Sequence, residues 1–200
     1  MNAAPKPALT FDAETHTYTL GGRHVPSVTQ VLDSQLVDWS MVPPDVLEAA
    51  RVFGSHVHEA VAFELRGILD WASLDRAIAP YIEGLRNFMR KGDFVPIASE
   101  LRMGHELHRV AGTLDLYGPV CGTSSLIDVK SGAVPRTVGP QTAAYAELYR
   151  FTHGERVKRR HCLELNPKYP EGFKLHRLDN PADWSIFLSA LNCWRFKHAN

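Results

Sequence analysis

Gly112-Thr113-Leu114-Asp115 is followed, thirteen positions after its Asp, by Asp128-Val129-Lys130, and then by Gln141 and Tyr145 four apart. Residues two apart in a strand share a face, so Asp128 and Lys130 project together while Val129 turns into the core. With 107–118 and 124–131 read as neighbouring strands, Asp115 sits beside Asp128 across a strand spacing of about 4.8 Å. Two carboxylates that close repel unless a cation joins them. Hard oxygen donors with positions left open suit Mg²⁺ or Mn²⁺, which retain waters and take up phosphate oxygens. The Lys130 ammonium next to them has the same kind of target.

On either side of this stretch, the pattern is that of alternating helices and strands. Thr15 to Leu20 alternates and Gly21-Gly22 turns it back into Arg23-His24-Val25, a short hairpin. Ser27 followed three later by Gln30 has the form of a capping box, opening a short helix with Val28, Val31 and Leu32 inward. After Pro43-Pro44, the spacing of Val46, Ala50, Phe53, Val57 and Val61 predicts a helix to about Arg66, and Ile78, Ile82, Leu85 and Met89 predict another over 74–91. Strands are expected at 94–103, 107–118, 124–131 and 157–165, and helices at 138–152 and 182–197. The expected fold class is α/β (α+β): a mixed central sheet flanked by helices, with a short N-terminal β-hairpin. One domain over 1–200 accounts for this order, with 1–45 as an N-terminal segment and 46–200 as the core.

Composition narrows the function classes. Hydrophobic residues make up 44% of 200, enough for a substantial core. Lys+Arg and Asp+Glu are equal at 22 each, which argues against a simple DNA-coating protein and leaves the local distribution of charge to decide. Cys121, Cys162 and Cys193 lie far apart and cannot supply four ligands to an iron–sulfur cluster or a structural zinc. A reduced, cytoplasmic, soluble protein is the expectation, because no apolar run approaches the roughly 20 residues of a membrane span. There is no Walker-type loop, so no nucleotide cofactor is expected.

The three signatures Gly112-Thr113-Leu114-Asp115, Asp128-Val129-Lys130 and Gln141-Thr142-Ala143-Ala144-Tyr145 together resemble the PD-(D/E)XK nuclease superfamily, in its RecB-like and phage-exonuclease branch, over roughly residues 50–165. A lone Asp-x-Lys more often marks a solvated strand edge than a site, but three signatures in order on suitable elements seldom coincide. Upstream, Gly54-Ser55-His56-Val57-His58 is similar to the family's Gly-x-x-x-His, which selects His58; Gly54, one turn earlier on the same helical face, would let that helix approach the sheet. Glu100 matches the family's acidic residue on the preceding strand.

The resemblance implies a restriction-endonuclease-like core and hydrolysis of phosphodiesters in DNA with one or two Mg²⁺ or Mn²⁺ ions. Asp115, Asp128, the Val129 carbonyl, Glu100 and His58 are then the expected metal ligands. Lys130 and Gln141 are expected to act on the attacking water or the phosphate. Tyr145 is expected to stack on or hydrogen-bond to nucleic acid, and Ser131 and Arg136 to touch phosphates. DNA is the expected partner, with a separate annealing or recombination protein as the companion such exonucleases allow. Exonuclease, endonuclease and a non-cleaving binding module of the same fold all stay open. His56, His105 and His108 read as surface residues, Asp12 and Glu14 have no role, and the run Glu155 to Arg160 reads equally as a solvated loop or as a phosphate contact.

Overall fold

The computed structural model describes residues 7–199. The chain opens with β1 (Leu9–Asp12), β2 (Thr17–Leu20) and β3 (Arg23–Val25), an antiparallel sheet of three strands rather than the two of the expected hairpin. Ser27 then caps α1 (Val28–Leu36) with the full capping box: its hydroxyl accepts from the Gln30 N–H, and the Gln30 side chain accepts from the Ser27 N–H. Two longer helices follow, α2 (Pro44–Leu65) and α3 (Ala79–Lys91). α3 starts five residues later than its apolar spacing predicts. Pro80 is the reason, since its fixed φ and missing N–H suit a first turn and not a helix interior.

The central sheet has the order β4-β5-β6-β7-β8, built from β4 (Ala98–His105), β5 (Val110–Val120), β6 (Thr123–Lys130), β7 (Arg159–Leu165) and β8 (Phe173–Arg177). β4, β5 and β6 form an antiparallel meander, and α4 (Val138–His153) carries the chain across to β7, which runs parallel to β6. β8, too short to stand out in the sequence, adds an antiparallel edge, and α5 (Asp183–His198) closes the chain. The expected mixed sheet flanked by helices is therefore present, with β8 and β1 as additions.

Helices cover both faces. Val28, Val31 and Leu32 of α1, Ala144 and Leu148 of α4 and Phe187 and Leu191 of α5 bury one side with Leu114 and Leu126. Val57 and Val61 of α2 and Ile82, Leu85 and Phe88 of α3 bury the other with Leu116, Ile127, Val129 and Leu163. Each fully buried Leu, Ile or Phe contributes about 1.5–3 kcal/mol. The N-terminal sheet joins this core through Tyr18 and Val25, which pack on Ala111, and through a Ser27–Ala111 bridge.

Candidate active site

Leu114 and Leu116 are two apart in β5 yet pack on opposite faces of the sheet, so regular alternation breaks at Asp115. The neighbouring strands break with it. Pairing with β4 holds at Ser99–Leu116 and Leu101–Leu114 but not at the Glu100–Asp115 rung between them, where Glu100 has the left-handed φ of +51°. Pairing of β5 with β6 ends at Leu116–Ile127, one rung before Asp115 and Asp128. The Val129 N–H thereby freed from that ladder donates instead to Asp115 Oδ2 at 2.7 Å. Left-handed backbone at a non-glycine residue costs about 1–3 kcal/mol and collects at functional sites.

Into this break come side chains from four elements. His58 of α2 places Nδ1 3.5 Å from Asp115 Oδ1, and one donor atom each from His58, Glu100 and Asp115 lies within 4.8 Å of the others. Asp128, only 1% exposed, has Oδ2 2.8 Å from Lys130 Nζ, in contact though out of line for a hydrogen bond. Asp128 and Lys130 do share a face, and Val129 is fully buried on the other. Among the described residues, Asp128 stands beside the His58–Glu100–Asp115 cluster rather than within it.

The electrostatics show what the cluster lacks. Two like charges about 4 Å apart repel by about 4 kcal/mol at an effective dielectric of 20. Burial and the Asp115 charge push the Glu100 carboxyl up to about 7. Burial also raises Asp128, even against the Lys130 ammonium. Burial by itself would lower His58, but the Asp115 carboxylate outweighs it and raises the imidazole to about 9, while His58 in turn holds Asp115 low. The carboxylates win at Lys130 too: its ammonium is stabilised despite burial, chiefly by Asp128 and then Asp115. Three acids thus hold their proton or lean on a cationic neighbour. This donor set, hard carboxylate oxygens with one imidazole and an unaligned buried carboxylate oxygen at Asp128, fits a divalent cation.

Gln141 and Tyr145, at 6% and 4% exposure, are buried in α4, with the Gln141 amide donating to the Tyr145 hydroxyl at 3.3 Å. Burial, then the Asp128 and Asp115 charges, raise that phenol well above its ordinary value. The Tyr145 ring is not a platform for a base. It packs into the core against Gly112, where a Cβ would come within 2.7 Å of its Cε1. Gly112 and Tyr145, from two separate signatures, are the two halves of one packing contact. Gly54 is different: a Cβ there would meet only Ser131 Oγ, at an ordinary 3.7 Å, so close helix approach does not require the glycine. Ser131 lies under that turn of α2, and Arg136 is exposed in the connection to α4.

Other residues reach this neighbourhood that sequence reasoning missed. Parallel pairing sets Cys162 beside Asp128 and Glu164 beside Lys130. Burial, then Asp128, push the Cys162 thiol up to about 12. Glu164 accepts from the Tyr169 hydroxyl at 2.9 Å and contacts His176 Nε2 at 2.8 Å. The Tyr18 hydroxyl lies 2.7 Å from Thr113 Oγ1. None of these carries a signal without the strand register. His105 corrects a further expectation: it is 2% exposed and stacks on Phe151 with ring centroids 4.0 Å apart, and His108 beside it is half-buried.

No protein-family model matches the sequence, and no curated protein matches it. Solved structures do. A candidate exonuclease from Eubacterium rectale aligns over 87% of this chain and 81% of its own, with a TM-score of 0.57 and 13% identity. An alkaline exonuclease from Laribacter hongkongensis aligns over 86% of each chain, with a TM-score of 0.44 and 10% identity. A complex of the latter with dAMP gives 0.45 and 12% over 86% of this chain and 87% of its own. At 13% identity the first likeness is one of fold: the chain shares its mixed α/β fold with that protein.

Proposed function

We propose that the protein is a metal-dependent DNA nuclease, most closely an exonuclease of the phage and recombination type. The observation that carries this is the convergence of His58, Glu100 and Asp115 beside the Asp128–Lys130 contact, where four elements meet at a break in the sheet. His58, Glu100, Asp115, Asp128 and the Val129 carbonyl would hold Mg²⁺ or Mn²⁺. Such an ion, when bound, supplies neutralisation of the phosphate and a more acidic water.

The chain's own groups do the rest. Hydrolysis forms a bond from a water oxygen to phosphorus and breaks the bond to one ester oxygen; the water gives up a proton and the leaving oxygen gains one. Lys130, held as an ammonium by Asp128 and Asp115, is suited to orienting the water and stabilising charge on the phosphoryl oxygens rather than to removing the proton. Gln141 and the Tyr145 hydroxyl, buried and hydrogen-bonded to each other, would help hold α4 against the sheet rather than contact the base.

The test incubates end-labelled linear duplex and covalently closed circular DNA with the protein and Mg²⁺ or Mn²⁺. Loss of linear DNA alone is the expected result, and the released label gives the polarity. Cutting of circles assigns an endonuclease. In Asp115→Ala, Asp128→Ala and Lys130→Ala, cleavage should fall by about 10²–10³-fold or more, with DNA binding in EDTA unchanged. Full activity in purified Asp128→Ala protein would overturn the proposal.

A further inference from the structure

A cavity of about 490 Å³ opens at the other end of the sheet from the carboxylates, and none of them lines it. Ala143 and Ala146 of α4 and Trp184 of α5 are among its lining. Six cationic side chains and two carboxylates line it, in a chain whose total charge is zero. Three of the six are already matched. Glu147 takes the Arg150 guanidinium through two hydrogen bonds, Asp179 pairs with Arg177 at 3.2 Å, and Arg160 is engaged by Asp183 and the Gly139 carbonyl at 2.9 and 2.8 Å. The other three, Arg156, Lys158 and Arg159, are exposed, and among the described residues no carboxylate forms an ion pair with them. Like charges gathered round a concavity repel one another until an anion enters it.

We infer that this cavity is a second nucleic-acid site, binding backbone phosphates of the same DNA strand or duplex that the carboxylates engage. The inference rests on the proposed nuclease reading for the identity of the polymer, and on the cavity for its place. Guanidinium and ammonium groups are the usual partners of phosphate oxyanions. In the parallel pairing of β6 with β7, Arg159 is level with Ser125, five residues before Lys130. At about 3.3 Å per residue, Arg159 lies roughly 10 Å from the level of Asp128 and roughly 16 Å from that of Lys130 along the strands. This matches about three to five nucleotides at 3.4 Å per nucleotide of one strand. Substrates shorter than that cannot reach both sites.

The test compares wild type with the triple variant Arg156→Gln, Lys158→Gln, Arg159→Gln; all three residues are exposed, so the fold should not suffer. Arg23→Gln, Arg76→Gln, Lys197→Gln, also at exposed positions, is the control for net charge. Affinity for a fluorescent 30-bp duplex is measured in EDTA over a range of salt concentrations, and cleavage of an activated small phosphodiester is measured with Mn²⁺. The cavity variant should bind the duplex about 10- to 100-fold more weakly in low salt, and its log–log salt slope should fall by about 0.9 for each phosphate that is no longer neutralised. The control should keep affinity and slope, and the small diester should be cleaved equally by all three proteins. Unchanged duplex affinity in the cavity variant, an equal loss in the control, or no duplex binding by wild type would overturn the site. Titration with dAMP and inorganic phosphate separates the sources of the anion: binding of either that the cavity variant loses, with duplex affinity intact, assigns a free phosphate site and overturns the polymer reading. Cavity-dependent duplex binding without cleavage of any substrate would refute the nuclease reading alone. Cleavage with unchanged binding would refute the cavity alone.

Discussion

His58 shows most directly how the residues of the site depend on one another. Its imidazole is held protonated, up to about 9, by the Asp115 carboxylate 3.5 Å away, whereas a metal ligand has to be neutral. Glu100, pushed up to about 7 by burial and Asp115, likewise has to give up its proton to bind a cation. Metal binding should therefore release protons, and affinity for Mn²⁺ should rise with pH between about 6 and 9. Calorimetric titration in two buffers of different ionisation enthalpy checks this: equal heats in both would show that no proton leaves. His58→Ala should weaken Mn²⁺ binding and flatten its dependence on pH above 7. Cleavage should be weakened rather than abolished, since Asp115 and Asp128 remain. An unchanged metal titration would remove His58 from the ligand set.

Among the elements, β5 and α4 are locked by the Gly112–Tyr145 contact, while α2 carries a glycine with no such demand. In Gly112→Ala, the new methyl would fall 2.7 Å from Tyr145 Cε1 in a buried core, and overpacking of this kind costs about 1–3 kcal/mol. Truncation of the ring in Gly112→Ala, Tyr145→Leu should recover part of that loss, which thermal unfolding of the single and double variants would measure. Gly54→Ala, with its methyl 3.7 Å from Ser131 Oγ, should instead stabilise by about 0.4–1 kcal/mol, because alanine favours helix and restricts the unfolded chain. A destabilised Gly54→Ala would show that α2 sits closer to the sheet than this. Gly-x-x-Asp and Gln-x-x-x-Tyr could be read in the sequence as two independent signatures. That they meet could not, because the contact spans more than thirty residues and depends on how α4 crosses β5.

The whole molecule binds its N-terminal sheet to the core through Tyr18 and Val25 on Ala111 and through the Tyr18–Thr113 hydroxyl pair. Thermal unfolding followed by far-UV and near-UV circular dichroism should accordingly give one coincident transition; two resolved transitions would separate residues 1–45 as an independent unit. Stability should also depend on pH through the buried histidines. Burial, and after it the neighbouring His108, lowers His105, and Glu147 opposes this only in part. As pH falls through about 6.5 the unfolded chain takes up a proton at this position that the folded chain resists, so the contribution of His105 to stability is full above 6.5 and is lost below it. Glu100 acts in the opposite sense, since its raised carboxyl favours the folded state as pH falls from about 7. The comparison is therefore differential: His105→Phe should gain stability relative to wild type between pH 6.5 and 5, and a difference that does not vary with pH would rule this out.

Local features could be read from the order of residues. The capping box at Ser27, the shared face of Asp128 and Lys130 and the burial of Val129 follow from periodicities of 3.6 and 2 and from the reach of short side chains. The order of the elements was legible for the same reason, apart from the short strands β1 and β8 and the starts of α3, β4 and β5, which lie five, four and three residues later than expected. Packing in three dimensions was needed to establish that alternation breaks at Asp115, that Glu100 turns left-handed opposite it, and that His58 arrives from α2 to meet them. The same holds for the burial of Tyr145, for the place of Glu164 beside Lys130, and for the cavity that Arg156, Lys158 and Arg159 surround. These features depend on strand register and helix crossing, which are set by packing among residues far apart in the chain, and no window of neighbouring residues contains that information.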